Sequence, residues 1–193
     1  MNTLCHLCLE LRESEFMMGQ FLGDFSRGQV ETLPYSENVK KGIRAHRRVD
    51  AAGEMHPFLQ KAKALLPERD RRFGGILLDL YGDYLLHCCW EEIMDRTWSE
   101  AFSKIDTFLR SPPHPFPVGA TRYADFLVRQ DLLEAYKDPR ALPEIFDRVG
   151  QRFRKPVALS PLLCVLQEQE AQFIQDFPRY FADMKAESDQ FLH

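Results

Sequence analysis

An all-α fold is predicted by three observations on the sequence. Nearly every stretch between prolines and glycines carries apolar residues at three- and four-residue spacing, no run alternates strictly between apolar and polar residues, and no hairpin turn pair separates two such runs. At 193 residues and 22.6 kDa the chain is long enough for one well-buried core. The expectation is a single compact bundle of about eight helices spanning residues 1–193.

The elements follow in order. A short apolar start near residues 2–10 leads into a helix at about 13–26, which Gly28 ends. Pro34 and the N-cap candidate Ser36 open another at about 36–52, because a serine oxygen can accept from the free N–H groups of a first helical turn. Gly53 and Pro57 separate it from a short helix at about 57–66. Pro67 is placed as the first-turn proline of a long helix, whose apolar run from Gly75 to Trp90 is the most buried-looking segment and contains two aspartates. A helix at about 97–110 stops at SPPHPFP, residues 111–117, where four prolines in seven residues remove the N–H donors a helix needs. Helices at about 120–137, 140–152, 160–176 and 178–191 complete the chain, the third entered by Ser160 and Pro161. Composition does not shift across the proline segment, which predicts a surface connection within one domain.

Composition excludes several classes of function. No stretch approaches the roughly eighteen unbroken apolar residues of a membrane span, and the start MNTLCHLCLELRESE gains charge too early for a secretory signal. A cytoplasmic protein with no membrane partner is expected. Five cysteines, an odd number with Cys88 and Cys89 adjacent, fit reduced thiols better than a disulfide framework. A net charge of −4 argues against general nucleic-acid binding but leaves room for a local basic patch.

Chemistry is sought where ionisable residues fall on apolar helix faces, since burying a lone carboxylate is costly unless a metal or cation compensates. On helical spacing, Asp24 shares an arc with Met17, Gln20 and Phe21, and His46 and Asp50 share one with Val39 and Ile43. Asp79 and Asp83 lie one turn apart on the arc of Ile76, Leu86 and Trp90. A divalent cation would turn these four carboxylates and one imidazole into a coordination sphere, and oxygens with one nitrogen suit manganese, magnesium or iron better than structural zinc. Spacing alone leaves a second reading open, in which each acid pairs with an arginine such as Arg27, Arg47 or Arg48. On the other side of the 36–52 helix, Lys40, Lys41, Arg44, Arg47 and Arg48 gather into a basic face suited to phosphate or an acidic partner.

A rival constellation comes from the cysteines. Cys5 and Cys8 form a CxxC around His6, and Cys88 and Cys89 offer two more thiols for zinc, but adjacent cysteines on a helix point about 100° apart and small core hydrophobes account for them more simply. His87, one turn beyond Asp83, can join the acidic arc or sit on the helix surface; His114 has no evident partner. There is no GxSxG, GxxxxGK[ST] or GxGxxG, so nucleotide-dependent chemistry is not expected.

The segments NTLCHLCLE, GQFLGDFSRG, GIRAHRRVD, EMHP, LLDLYGDYLL and FIQDFPRYF occur in the order and spacing of one family, spanning residues 2 to about 90 and returning near 173–181. The chain resembles the bacterial acyl carrier protein phosphodiesterases. That resemblance implies hydrolysis of holo-acyl carrier protein to the apo form with release of 4′-phosphopantetheine, manganese as the usual metal, and a helical fold related to HD-type phosphohydrolases. It also implies that Asp24, His46, Asp50, Asp79 and Asp83 surround the metal with His6 as a further ligand. Asp24, His46, Arg47 and Arg48 would act in catalysis, and Lys40, Arg44, Arg47 and Arg48 would meet the substrate. Four positions depart from the family pattern: Cys8, Arg44 and Tyr84 stand where a histidine is frequent, and Glu54 stands for an aspartate. Two other classes stay in view, a non-catalytic helical module that holds an acidic carrier protein and a zinc-stabilised interaction protein.

Overall fold

The structure is a computed structural model that describes residues 1–192. Among these residues the chain forms twelve α-helices and no strand, bearing out the all-α expectation. They are α1 Thr3–Leu9, α2 Ser14–Leu22, α3 Glu37–Met55, α4 Pro57–Leu65, α5 Gly74–Cys88, α6 Trp90–Ile93, α7 Trp98–Arg110, α8 Val118–Arg129, α9 Leu132–Ala135, α10 Leu142–Gly150, α11 Ser160–Gln167 and α12 Glu170–Asp189. Short 3₁₀ turns occupy Gly23–Phe25, Val30–Thr32 and Glu68–Phe73.

Where the boundaries follow local chemistry, they fall as expected. Ser36 Oγ accepts from the Val39 N–H at 3.3 Å and starts α3, and a reciprocal Thr97–Glu100 capping box starts α7. Four boundaries differ, the first being the expected 13–26 helix, which stops at Leu22. Pro67 opens the Glu68–Phe73 turn, and α5 itself begins at Gly74. The expected 120–137 helix breaks into α8 and α9 at Asp131, which adopts a left-handed conformation at φ 47°. The chain also breaks at Glu168–Gln169, ahead of the expected Pro178 boundary, and Pro178 lies inside α12. A proline there withholds the N–H that would bond the Ile174 carbonyl, and the Cys89 thiol donates to that carbonyl instead at 3.4 Å.

Two helices meet at backbone distance. A methyl added at Gly19 of α2 would lie 2.2 Å from the Val39 carbonyl oxygen, and one at Gly42 of α3 would lie 2.2 Å from the Phe16 carbonyl oxygen. Only glycine permits that approach, and it sets Gln20 and Gly23 directly against His46. The surrounding core is a continuous cluster running from Leu4 to Met184, with Leu7, Met17, Leu22, Ile43, Tyr81 and Phe177 sealed from solvent. No helix among the described residues is long and apolar enough to cross a membrane.

Candidate active site

Two helices deliver the centre of the site: α1 carries His6, and α3 carries His46 and, one turn later, Asp50. His6 Nε2 lies 3.0 Å from Asp50 Oδ1, and His46 Nε2 lies 3.1 Å from Asp50 Oδ2. The two imidazoles stack with centroids 3.9 Å apart and planes 20° from parallel. From α2, Gln20 orients both rings. Its main-chain carbonyl accepts from His46 Nδ1–H at 2.8 Å, and its side-chain Oε1 faces His6 Nδ1 at 3.1 Å. Ser188 of α12 accepts from Gln20 Nε2 at 2.8 Å, which fixes which end of the amide faces His6. Gly23 gives the His46 ring its room, since a methyl there would lie 2.1 Å from a ring carbon.

Two further aspartates flank this centre. Asp24 Oδ1 stands 3.5 Å from His46 Nε2, and the α-amino group of Met1 bridges Asp50 and Asp79 at 3.0 and 3.1 Å. The three carboxylates remain open to solvent on one side, with side chains 63, 42 and 40% exposed for Asp24, Asp50 and Asp79, while both imidazoles are buried. The site is therefore a half-open acidic mouth over a buried histidine pair.

Charge in this cluster is set by proximity. Burial opposes ionisation of Asp50, but the hydrogen bond from His46 and the charge of the Met1 amine outweigh it and hold the carboxyl well below its usual range. Burial likewise opposes charge on His46, yet Asp24 and Asp50 raise its pKa to about 9. His6 moves the other way, to about 4, because it is buried and because a second positive ring stacks on it. Burial and nearby negative charge raise Asp79 despite the Met1 amine, whose own pKa rises to about 11 against the cost of burial because Asp79 and Asp50 face it.

The donor set fits a divalent cation. One ligand atom each from His6, His46 and Asp50 lies within 4.8 Å of the others, the only such group of three or more among the described residues. A neutral His6 that donates from Nδ1 to Gln20 turns the Nε2 lone pair on an Asp50 oxygen, a contact that a cation between them would relieve. The acids pair with histidines and an amine, not with arginines, so the arginine-pairing reading does not describe the cluster.

Several expectations need correction. Asp24 does not project from a helix face; α2 ends at Leu22, and the 3₁₀ turn carries the aspartate to the exposed rim. Asp83 is sealed from solvent and faces the start of α1, where it accepts from the Leu4 and Cys5 N–H groups at 3.3 and 3.0 Å and from Asn2 Nδ2 at 2.7 Å. One turn from Asp79, it caps a helix and does not join the histidines; burial lifts its pKa to about 7 against those bonds. Arg47 spends its guanidinium on the Ser26 and Gly28 carbonyls, both at 2.8 Å, tying the loop after Asp24 to α3. Arg48 pairs with Glu187 at 2.7 Å, Arg44 with Glu31 at 3.2 Å, and Lys40 with Glu37 at 3.3 Å.

The cysteines form no zinc site: Cys5, Cys8 and Cys89 are buried and Cys88 is exposed, and none belongs to the ligand group. His87 is half-buried and donates to the Leu133 carbonyl at 2.9 Å, and His114 finds Glu15 at 2.6 Å. Of the family departures, Arg44 is paired outside the centre, Glu54 bonds Lys63, Tyr84 donates to Glu170 and Cys8 lies in the core, so none stands in the ligand group. Gln20 and Ser188 are the site residues the sequence did not single out for a role. Only Gln20's place on the arc of Asp24 hinted at it, and Ser188, distant in sequence, gave no signal.

Comparison with known proteins places the same residues in a family context. The profile described as acyl carrier protein phosphodiesterase matches residues 1–184. The acyl carrier protein phosphodiesterase of Photorhabdus laumondii is 31% identical over 198 residues, covering 99% of this chain and 98% of the relative. That of Pectobacterium atrosepticum is 26% identical over 189 residues, 95% of each chain, and that of Salmonella agona is 29% identical over 157 residues, 79% of each. No solved structure matches. With the whole histidine–aspartate centre inside the matched span and the correspondence running nearly end to end, the chain belongs to the acyl carrier protein phosphodiesterase family.

Proposed function

We propose that this protein is a metal-dependent phosphodiesterase that hydrolyses holo-acyl carrier protein to apo-acyl carrier protein and 4′-phosphopantetheine. The observation that carries the metal-dependent reading is the convergence of His6, His46 and Asp50 ligand atoms within 4.8 Å, beside two partly exposed aspartates. His6, His46, Asp50 and Asp79 are the residues that would hold the cation, and manganese is the ion we assign, with magnesium or iron as alternatives for the same donors. When bound, such a cation lowers the pKa of a coordinated water and neutralises charge on a phosphoryl oxygen. Asp24, on the rim within reach of His46, orients the attacking water and accepts its proton. Lys40 and Arg44, half-buried along their stems, pair with exposed glutamates, and exposed Arg48 pairs with half-buried Glu187; these surface pairs exchange for an acidic carrier surface, whereas Arg47 acts by holding the Ser26–Gly28 loop. A cytoplasmic setting and kinship with HD-type phosphohydrolases belong to the same reading; five free cysteines support the first, and a His–Asp centre in an all-helical fold the second.

Mass spectrometry of holo-carrier incubated with the protein and manganese tests the proposal. Loss of the pantetheine arm is expected with wild type and its retention with Asp50→Ala, which should stay folded but bind less manganese in elemental analysis. Wild-type protein that leaves the arm in place, or Asp50→Ala protein that removes it, rejects the assignment.

A further inference from the structure

FIQDFPRYF, residues 173–181, is a family segment with no part in the site described so far, and it contains Tyr180 of α12. Four tyrosines among the described residues are buried. Tyr81 and Tyr84 donate to Glu170, and Tyr136 accepts from Asn2. Tyr180, only 3% exposed, bonds to no described residue. Because every side-chain polar atom sealed from solvent among the described residues has a partner, the Tyr180 oxygen must open onto accessible space.

The ring's packing shows which way that oxygen points. Tyr180 stacks on Phe58 at 4.7 Å and lies 5.0 Å from the His56 ring, which holds the phenol in place. The oxygen lies over Gly53, where an added methyl would be 2.9 Å away, and Gly53 follows Asp50 by about one turn on α3. Burial, then Cys5 and the carboxylates of Asp79 and Asp50, push the phenol's pKa upward, so it stays protonated and serves as a donor.

We infer that Tyr180 is a further catalytic residue, its O–H donating to a phosphoryl oxygen bound beside Asp50 and Asp79. This role rests on the site reading given under Proposed function. An uncharged donor held by aromatic packing stabilises charge that develops on the phosphoryl group without adding a second cation to a site already balanced by carboxylates.

Tyr180→Phe removes the hydroxyl and keeps the ring. Steady-state turnover of holo-carrier with manganese present should show kcat lowered on the order of 100-fold, with KM within about twofold and thermal midpoint unchanged. Wild-type kcat overturns the inference, as does a loss of activity accompanied by a matching fall in thermal midpoint. Asp50→Ala assayed alongside separates the two levels. If it is inactive while Tyr180→Phe is normal, only the role of Tyr180 fails; if it is active, the site reading fails and takes this inference with it.

Discussion

Asp50 and Asp83 meet the same test in the sequence, an aspartate on an inward helical arc, and the fold gives them opposite tasks. Asp50 gathers two imidazoles and an amine at a solvent-facing mouth, while Asp83 accepts from two main-chain N–H groups in a closed interior. Replacing Asp83 by alanine leaves those donors buried without a partner, so unfolding should become easier by about 1–3 kcal/mol while manganese content is retained. Denaturant titration with elemental analysis checks both halves. Ser188→Ala is expected to do the reverse. It frees the Gln20 amide to turn, loosens the hold on His6, and should weaken manganese binding about 10–100-fold by calorimetry at little cost in thermal midpoint. Periodicity could place His46 and Asp50 because both lie on one regular helix. It misplaced Asp24, where the helix ended early, and Asp83, whose partner is the backbone of a segment 78 residues away.

Elements were most legible where a local bond sets the boundary, as at Ser36 and Thr97, and least legible where the remedy for a broken bond comes from elsewhere, as at Pro178. The α2–α3 contact is likewise long-range, and two glycines in good helix-forming surroundings gave no hint of it. Gly42→Ala places a methyl 2.2 Å from the Phe16 carbonyl oxygen, and neither backbone can yield without shifting a helix. A loss of about 1–3 kcal/mol is expected, measured as a lowered thermal midpoint. Because the same contact sets Gln20 against His46, manganese affinity should fall in the same variant.

For the whole molecule, the continuous core supports our reading of the chain as one domain, which should unfold in a single transition. That transition has a pH dependence to which His87 contributes separately from the site. Burial lowers its pKa from 6.5 to about 4, despite the bond to Leu133. Below about pH 6.5 the unfolded chain takes up a proton that the folded chain refuses until about pH 4, so stability falls as pH drops through that window. His87→Gln keeps a donor for the Leu133 carbonyl and removes the titration, so the fall between pH 6.5 and 4 should be shallower than in wild type. Equal slopes in denaturant melts across that range would show that His87 is not the source.

The thiol that answers Pro178 joins two distant stretches of chain into one conditional arrangement. Burial raises the Cys89 pKa to about 12, so the sulfur keeps its hydrogen across ordinary pH and never becomes a second acceptor facing the Ile174 oxygen. The hydrogen on 89 takes up the acceptor that the imino acid at 178 leaves over, and with any other residue at 178 an amide would close the turn and leave position 89 free to be purely apolar.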